Sequence, residues 1–464
     1  MDRTTAEAGT PASARFPWAR PRHERLLLLL VAVATLTVVQ PHGAQDVSRM
    51  CLTLAVPHAR LSNDSCLAGN GDLASFGGHS YSDKAPGLSF LAIPIAEAVR
   101  LPPPTGWEGD GALQLWAVRI STGGIALLGC AMLLGRVAEG LASRSGGPAL
   151  VTFAAGTLMS SLAAANFDEA PAALLGFAAF LLAWRRRPVA AGIVGGAAIL
   201  VEYQAALIVA VIALYVAFGG VRSVGRYLLG LLPGVALLGL YDWAAFGSPL
   251  HLSYRYVSVL FAAQQSQGFF GIHAPRWHAI RLVLVGDRGL VVDAPVLLLA
   301  LAGLAILWRQ GLRRESAVCA IVTLSFLVLE FGYYDPYGGH SPGPRFFIPA
   351  LPFLALGLAP AFARWRTATS LLALCSVLAS SGILLSWPAA VNTPGRYHWS
   401  IWRELALVPV QGEASEIARW APANVLTKLG VGPLGAEAAV FAASVAALGL
   451  ALWAGRARAT RAGA

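Results

Sequence analysis

Apolar runs of about 15 to 20 residues recur along the whole chain, and no other feature limits its fold so strongly. In lipid, a run of that length satisfies its backbone N–H and C=O groups only as a helix. About twelve runs stand near residues 26–39, 112–135, 149–166, 170–184, 188–201, 204–218, 227–245, 289–308, 315–332, 346–363, 368–387 and 437–455. Hydrophobic residues make up 56% of the chain and charged residues 12%, which excludes an ordinary soluble domain. The expected class is an all-α polytopic membrane protein, a bundle of about twelve transmembrane helices.

Arginine sets the expected orientation, because short cytoplasmic loops retain Lys and Arg. Arg20, Arg22 and Arg25 precede the first run. Alternate connections then carry Arg136 and Arg144; Arg185 to Arg187; Arg222 and Arg226; Arg309, Arg313 and Arg314; Arg364 and Arg366; and Arg456, Arg458 and Arg461. Both termini are therefore expected in the cytoplasm of a multi-pass cell-membrane protein. Of 24 Asp and Glu residues, only Asp2, Glu7, Glu24, Glu139 and Glu315 fall on that side, so carboxylate chemistry is expected on the outer face. The same arginines explain the net charge of +10, and nucleic acid is not an expected partner.

The chain divides into a tail at 1–25, a transmembrane region at 26–387, an outer loop at 388–436, and a last helix with its cytoplasmic tail at 437–464. Outer loops within the transmembrane region cover 40–111, 246–288 and 333–345. The first run has the basic flank and leucines of a signal peptide, but no small-residue cleavage site follows Val39, so it reads as an uncleaved anchor. Residues 46–61 read as a short helix with Asp46 at its start and Val47, Met50, Cys51 and Leu54 on one apolar face. Ala85 to Leu101 is interrupted by Pro86, Pro94, Glu97 and Arg100, and a crossing there would invert every later arginine loop. It reads as an interfacial or re-entrant helix. Cys51 and Cys66 share the outer loop, where a disulfide and two free thiols are both open; Asn63-Asp64-Ser65 is a glycosylation tripeptide of the kind that chance supplies.

Two hairpins are short. The arms flanking Glu202-Tyr203 hold about 14 or 15 residues, a rise of roughly 21 Å against a hydrocarbon core of about 30 Å. Asn166-Phe167-Asp168-Glu169 joins arms of similar modest length. Carboxylates at such depth need water, a cation or a partner, so Asp168, Glu169 and Glu202 point to a recessed polar cavity opening outward. The loop Tyr-Tyr-Asp-Pro-Tyr-Gly-Gly-His-Ser-Pro-Gly-Pro-Arg at 333–345 is dense in turn formers, and such a rigid loop can hold the Arg345 fork for a phosphate. His251, Tyr254, Arg255, His273, Arg276 and His278 form a weaker polar group in the loop at 246–288.

Gln45-Asp46 before an interfacial helix, Tyr81-Ser82-Asp83-Lys84-Ala85-Pro86-Gly87, and Gly343-Pro344-Arg345-Phe346-Phe347-Ile348-Pro349-Ala350-Leu351-Pro352 together resemble the GT-C membrane glycosyltransferases. The branch they resemble is glycosyltransferase family 39, with the protein mannosyltransferases and lipid A aminoarabinose transferase. Val201-Glu202-Tyr203, Phe246-Gly247-Ser248-Pro249 and Asp287-Arg288-Gly289-Leu290 add to the likeness, which extends from Asp46 to Pro352. It implies a GT-C-like bundle with interfacial helices in the first outer loop, and 26–387 as its catalytic region. The implied activity is transfer of a hexosyl or pentosyl group from a polyprenyl-phosphate donor to a cell-envelope glycan, lipid or protein, with membrane lipids around it.

In that resemblance Asp46 is the general base or orients the acceptor hydroxyl, and Lys84 and Arg345 contact the donor phosphate. Asp168, Glu169, Glu202, Tyr81, Asp335 and His340 are candidates for the acceptor, the sugar or a cation. Each has a structural alternative: Asp46 as a helix cap, Lys84 as a snorkelling lysine, Arg345 as a helix anchor, the acidic residues as hairpin caps, and Asp335 and His340 as pins of their own loop. Asp46-Val47 stands where many relatives have adjacent acids, so a two-carboxylate base is not expected. No zinc motif is present; a divalent cation on the carboxylates is left open, and no other cofactor is expected. A transporter or flippase of a lipid-linked or anionic substrate is the competing class, but ionisable residues deep in the runs are sparse and no inverted repeat is visible.

Overall fold

A computed structural model describes residues 16–108, 110–165, 167–386, 400–411 and 423–456. Asp2, Glu7, Asn166, Arg458, Arg461 and much of the 388–436 segment lie outside the described residues.

Each expected run has a helical counterpart. The leucine-rich first run forms α1 (Glu24–Leu36), and the second forms α4 (Gly111–Leu141). Between them lie α2 (Ala44–Ala55) and α3 (Gly87–Ala98), the two short helices of the first outer loop. The chain continues through α5 (Gly146–Ala155), α6 (Glu169–Trp184), α7 (Pro188–Val201), α8 (Ala205–Ala217) and α9 (Val221–Phe246). The following helices are α10 (Trp277–Asp293), α11 (Leu297–Arg309), α12 (Arg313–Gly332), α13 (Arg345–Ala355), α14 (Leu358–Arg364), α15 (Arg366–Ser386) and α16 (Pro433–Ala454).

Among the described residues, five helices are long and apolar enough to cross a membrane, or seven when the bent pairs α10–α11 and α13–α14 each count as one span. Those pairs turn by 86° and 52°. The other runs form shorter apolar helices, so the expected dozen segments do not correspond to a dozen full-length spans. The loop expected at 246–288 also ends in helix, since α10 begins at Trp277.

Small residues allow α7 and α9 to pack closely. A Cβ on Gly192 of α7 would lie 2.1 Å from the Tyr227 carbonyl oxygen, and one on Gly234 of α9 would lie 2.3 Å from the Gly196 carbonyl carbon. Gly192 and Gly196 thus face Gly230 and Gly234, a four-residue spacing that brings two backbones together without side chains between them. This contact holds α7, the arm that ends at Glu202, against α9.

Two small antiparallel pairings interrupt the all-helical pattern: Val38–Val39 with Ala423–Asn424, and Ala74–Phe76 with His79–Tyr81. The second is a hairpin turned by Gly77 and Gly78, with φ of 60° and 84°, which suits glycine. It delivers the chain to Asp83 and Lys84.

At one end of the bundle, arginines from separate connections meet. Arg20 and Arg136 both pair with Glu24 at 2.7 Å, and Arg185 lies over Phe16 and Trp18. Arg366 donates to the carbonyls of Leu452 and Gly455. The carboxylates singled out in the sequence gather at the opposite end of the same helices.

Candidate functional site

Helix α2 organises the site. Its start is held by Asp46, whose Oδ2 accepts the Gly43 N–H at 2.9 Å. Both oxygens of Asp46 also accept from Arg119 of α4: Nε donates to Oδ1 at 3.0 Å and Nη2 to Oδ2 at 2.7 Å. Arg119 further donates to the Gln40 and Pro41 carbonyls, so it ties α4 to the segment entering α2. Asp46 is therefore buried, oriented and held by a guanidinium as well as a helix cap.

Further along α2, Ser48 and Arg49 face a charged cluster. Ser48 Oγ donates to Asp83 Oδ1 at 2.9 Å and lies 2.9 Å from Ser82 Oγ, latching the turn that carries Lys84. Lys84 Nζ lies 2.8 Å from Asp83 Oδ2 and 3.6 Å from Asp72 Oδ2. Burial works against the ammonium, but Asp72 and then Asp83 more than offset it, leaving the Lys84 pKa above its ordinary value. Lys84 is thus a buried, charged lysine.

Arg49 reaches the hairpin apices. Its Nη2 lies 2.6 Å from Asp168 Oδ1, while Nη1 donates to Gln45 Oε1 at 2.6 Å. Asp168, Glu169 and Glu202 are all buried, and each offers an oxygen within 4.8 Å of the others. Arg345 arrives from the 333–345 loop with Nη1 3.6 Å from Glu169 Oε1. The Phe167 ring lies beneath both guanidiniums, 5.3 Å from Arg345 and 6.0 Å from Arg49. Glu330 of α12 accepts the Phe347 N–H at 3.1 Å and thereby holds the short helical turn on which Arg345 sits.

Lys84, Asp168 with Glu169, Glu202 and Arg345 thus come together from four separate segments of the chain. Tyr81 packs in an aromatic group with Phe76, Phe246 and Tyr256, its ring 5.2 Å from that of Phe246. Asp335 accepts the N–H groups of Tyr337 and Gly339 and pins its own turn, and His340 is exposed at that loop's tip.

Sequence reasoning missed Arg49, Asp72 and Arg119. A lone arginine in the apolar run at 112–135 was a legible signal for Arg119, because a charge there requires a partner. Arg49 had a weaker signal, its place on the face of α2 opposite Val47.

The cluster has unused hydrogen-bonding capacity of both signs. Nε of Arg49 and Nε of Arg345 are buried donors without a hydrogen-bond acceptor, and both Glu169 oxygens lack a hydrogen-bond donor. The arrangement can therefore bind an anion on one side and a hydroxyl on the other. The three carboxylates are chemically suited to a hard divalent cation. Arg49 already pairs with Asp168, however, and Arg345 lies 3.6 Å from Glu169, so two guanidiniums set positive charge against this carboxylate group.

No known family profile and no curated protein matches the chain. Its fold is similar to that of ArnT from Cupriavidus metallidurans, in structures solved apo and bound to undecaprenyl phosphate. Each superposes with a TM-score of 0.51 at 14% identity, over 93% of this chain and 76% of that one. The apo oligosaccharyltransferase of Archaeoglobus fulgidus gives 0.45 at 13% identity, over 91% and 56% of the two chains. The arabinosyltransferase EmbB of Mycobacterium smegmatis gives 0.45 at 13% identity, over 98% and 42%. The chain has the GT-C fold of polytopic membrane proteins, as the sequence resemblance implies.

Proposed function

We propose that the protein is an integral membrane glycosyltransferase that moves a sugar from a polyprenyl-phosphate donor to an acceptor hydroxyl on the outer face of the membrane. The carrying observation is the convergence of Lys84, Arg49 and Arg345, with two buried guanidinium Nε–H groups free to donate. A phosphate oxygen is the natural acceptor for such donors. The fold likeness to a protein solved with undecaprenyl phosphate supports a lipid-borne phosphate.

In this reading the acceptor oxygen forms a bond to the anomeric carbon as the bond from that carbon to the donor phosphate breaks. The departing phosphate takes the electron pair, and Lys84 and Arg345 stabilise its charge. Asp46 takes the hydroxyl proton, its orientation fixed by Arg119. Arg49 keeps Asp168 charged and placed, so that Asp168, Glu169 and Glu202 can bind the hydroxyls of the sugar or acceptor.

Purified protein in lipid, supplied with a radiolabelled polyprenyl-phosphate sugar and envelope acceptors, tests the reading. Label should enter a new covalent product, with Asp46→Asn reducing turnover and Lys84→Ala weakening donor binding. Label that crosses the membrane unchanged would favour a transporter. Full activity in both variants would remove these residue roles.

A further inference from the structure

On the face of α2 turned away from the charged cluster lies a hollow of about 790 Å³, bounded by α3 and the loops that follow the two helices. It falls within the size range of small-molecule sites. Val47 and Leu54 are seven residues apart, two helical turns, and form one wall, whereas Arg49 projects from the opposite side of the same helix. Ala96 extends the apolar floor from α3.

The rim is cationic. Arg60 and Arg100 are exposed and line it with His58, against the single carboxylate of Glu97. The backbone is unusual at Arg100 and at Ala59, the residue before Arg60. Helix α3 closes with Arg100 in the left-handed region at φ 53°, its N–H bonded to the Glu97 carbonyl and that of Leu101 to Ala96. The helical segment after α2 closes the same way at Ala59, φ 55°, with the Arg60 N–H on the Ala55 carbonyl. Glycine is the usual residue at such a position, because a Cβ is strained there. Arg100 holds its cation at the rim despite that strain.

The hollow also adjoins the charged cluster. Asn70 lines it, and its side-chain amide donates to the carbonyls of Ala44 and Asp72. Ala44 lies two residues before Asp46, and Asp72 faces Lys84. Val47 directly follows Asp46, so the hollow and the charged cluster are joined through the start of α2 and the bonds of Asn70.

We propose that this hollow is the acceptor site, and that the acceptor is a glycan end bearing an acidic group, carboxylate or phosphate. The proposal rests on the transferase reading, because it names that reaction's second substrate. The apolar floor takes the carbon face of a sugar ring, Asn70 its hydroxyls, and Arg60 and Arg100 its charge.

Binding tests this independently of catalysis. The full chain in nanodiscs is titrated with a fluorescent trisaccharide ending in glucuronic acid, with the same trisaccharide ending in glucose, and with the acidic trisaccharide on a lipid tail. At least one acidic probe should bind, and Arg60→Gln and Arg100→Gly should each weaken it about tenfold, the loss of one charge-assisted contact. The neutral probe should bind no better than those variants bind the acidic one. Binding of the soluble acidic probe points to a free glycan, and binding of the lipid-tailed form alone to a glycolipid; either supports the proposal. Equal binding of acidic and neutral probes, no acidic binding, or unaltered binding in both variants would overturn it. The thermal midpoint of Arg100→Gly should equal or exceed that of wild type, and a clear fall would make Arg100 structural and overturn its ligand role. Failure of the transferase reading looks different: probe binding persists while no sugar leaves the donor.

Discussion

Arg49 shows how one residue can settle a charged cluster. It is buried and lies 2.6 Å from a buried carboxylate, so Arg49→Met would leave Asp168 charged and unpaired. Breaking a buried pair from one side costs about 3–5 kcal/mol, and a large fall in thermal midpoint with loss of activity is the expected outcome. Arg49→Lys keeps one charge but loses the planar fork that joins Gln45 to Asp168, so it should fold better than the methionine variant and still transfer poorly. The same guanidinium bears on metal dependence. With Arg49 and Arg345 already set against the three carboxylates, EDTA should leave wild-type transfer unchanged. Loss of activity in EDTA with recovery on adding Mn²⁺ would show that a cation displaces Arg49. These contacts were only partly legible. Asp168, Glu169 and Glu202 stood out because carboxylates at short hairpin tips are costly, but nothing in a one-dimensional string shows which cation will reach them.

At the scale of elements, α2 depends on covalent as well as packing constraints. Cys51 on its buried side is joined to Cys66, a pairing that spacing alone left open. The closed loop spans a sequence separation of 15, for which the chain-entropy account gives about 3 kcal/mol of stabilisation. Cys51→Ser with Cys66→Ser, or strong reductant, should therefore lower the thermal midpoint. Because α2 carries Asp46 and Arg49, activity should fall at temperatures where the rest of the bundle remains folded. Unchanged stability and activity after verified reduction would count against this coupling. The helical runs were readable because lipid imposes length and apolarity on each segment separately. The Ala74–Tyr81 hairpin was less readable, since its strands of three residues carry too little alternation and Gly77-Gly78 is its only strong signal. The bends within α10–α11 and α13–α14 were also missed, because proline and glycine mark a break without setting its angle.

For the whole molecule, the remaining question is which end faces the cytoplasm. Arginines on connections far apart in sequence meet at one end, through Glu24, Phe16, Trp18 and the carbonyls closing α16. The Lys84 and Arg345 cluster is at the other end of the same helices. Cytoplasmic retention of arginine then predicts that the cluster lies outside. Several helices between the two ends are short: α7 has 14 residues and α8 has 13, a rise of roughly 20 Å each. That is less than a typical hydrocarbon core of about 30 Å, so the apex at Glu202 should be recessed below the outer surface rather than exposed on it. Cysteine labelling in intact cells tests both points. Ser266→Cys, exposed in the loop after α9, should react with a membrane-impermeant maleimide from outside. Ser143→Cys, exposed at the arginine end, should react only after permeabilisation, and Glu202→Cys should resist the bulky reagent while admitting a small one. Reversed labelling of the two serine positions would invert the topology and place the lipid-phosphate chemistry on the cytoplasmic face. Equal reactivity of Glu202→Cys with large and small reagents would replace the recessed site with a surface one.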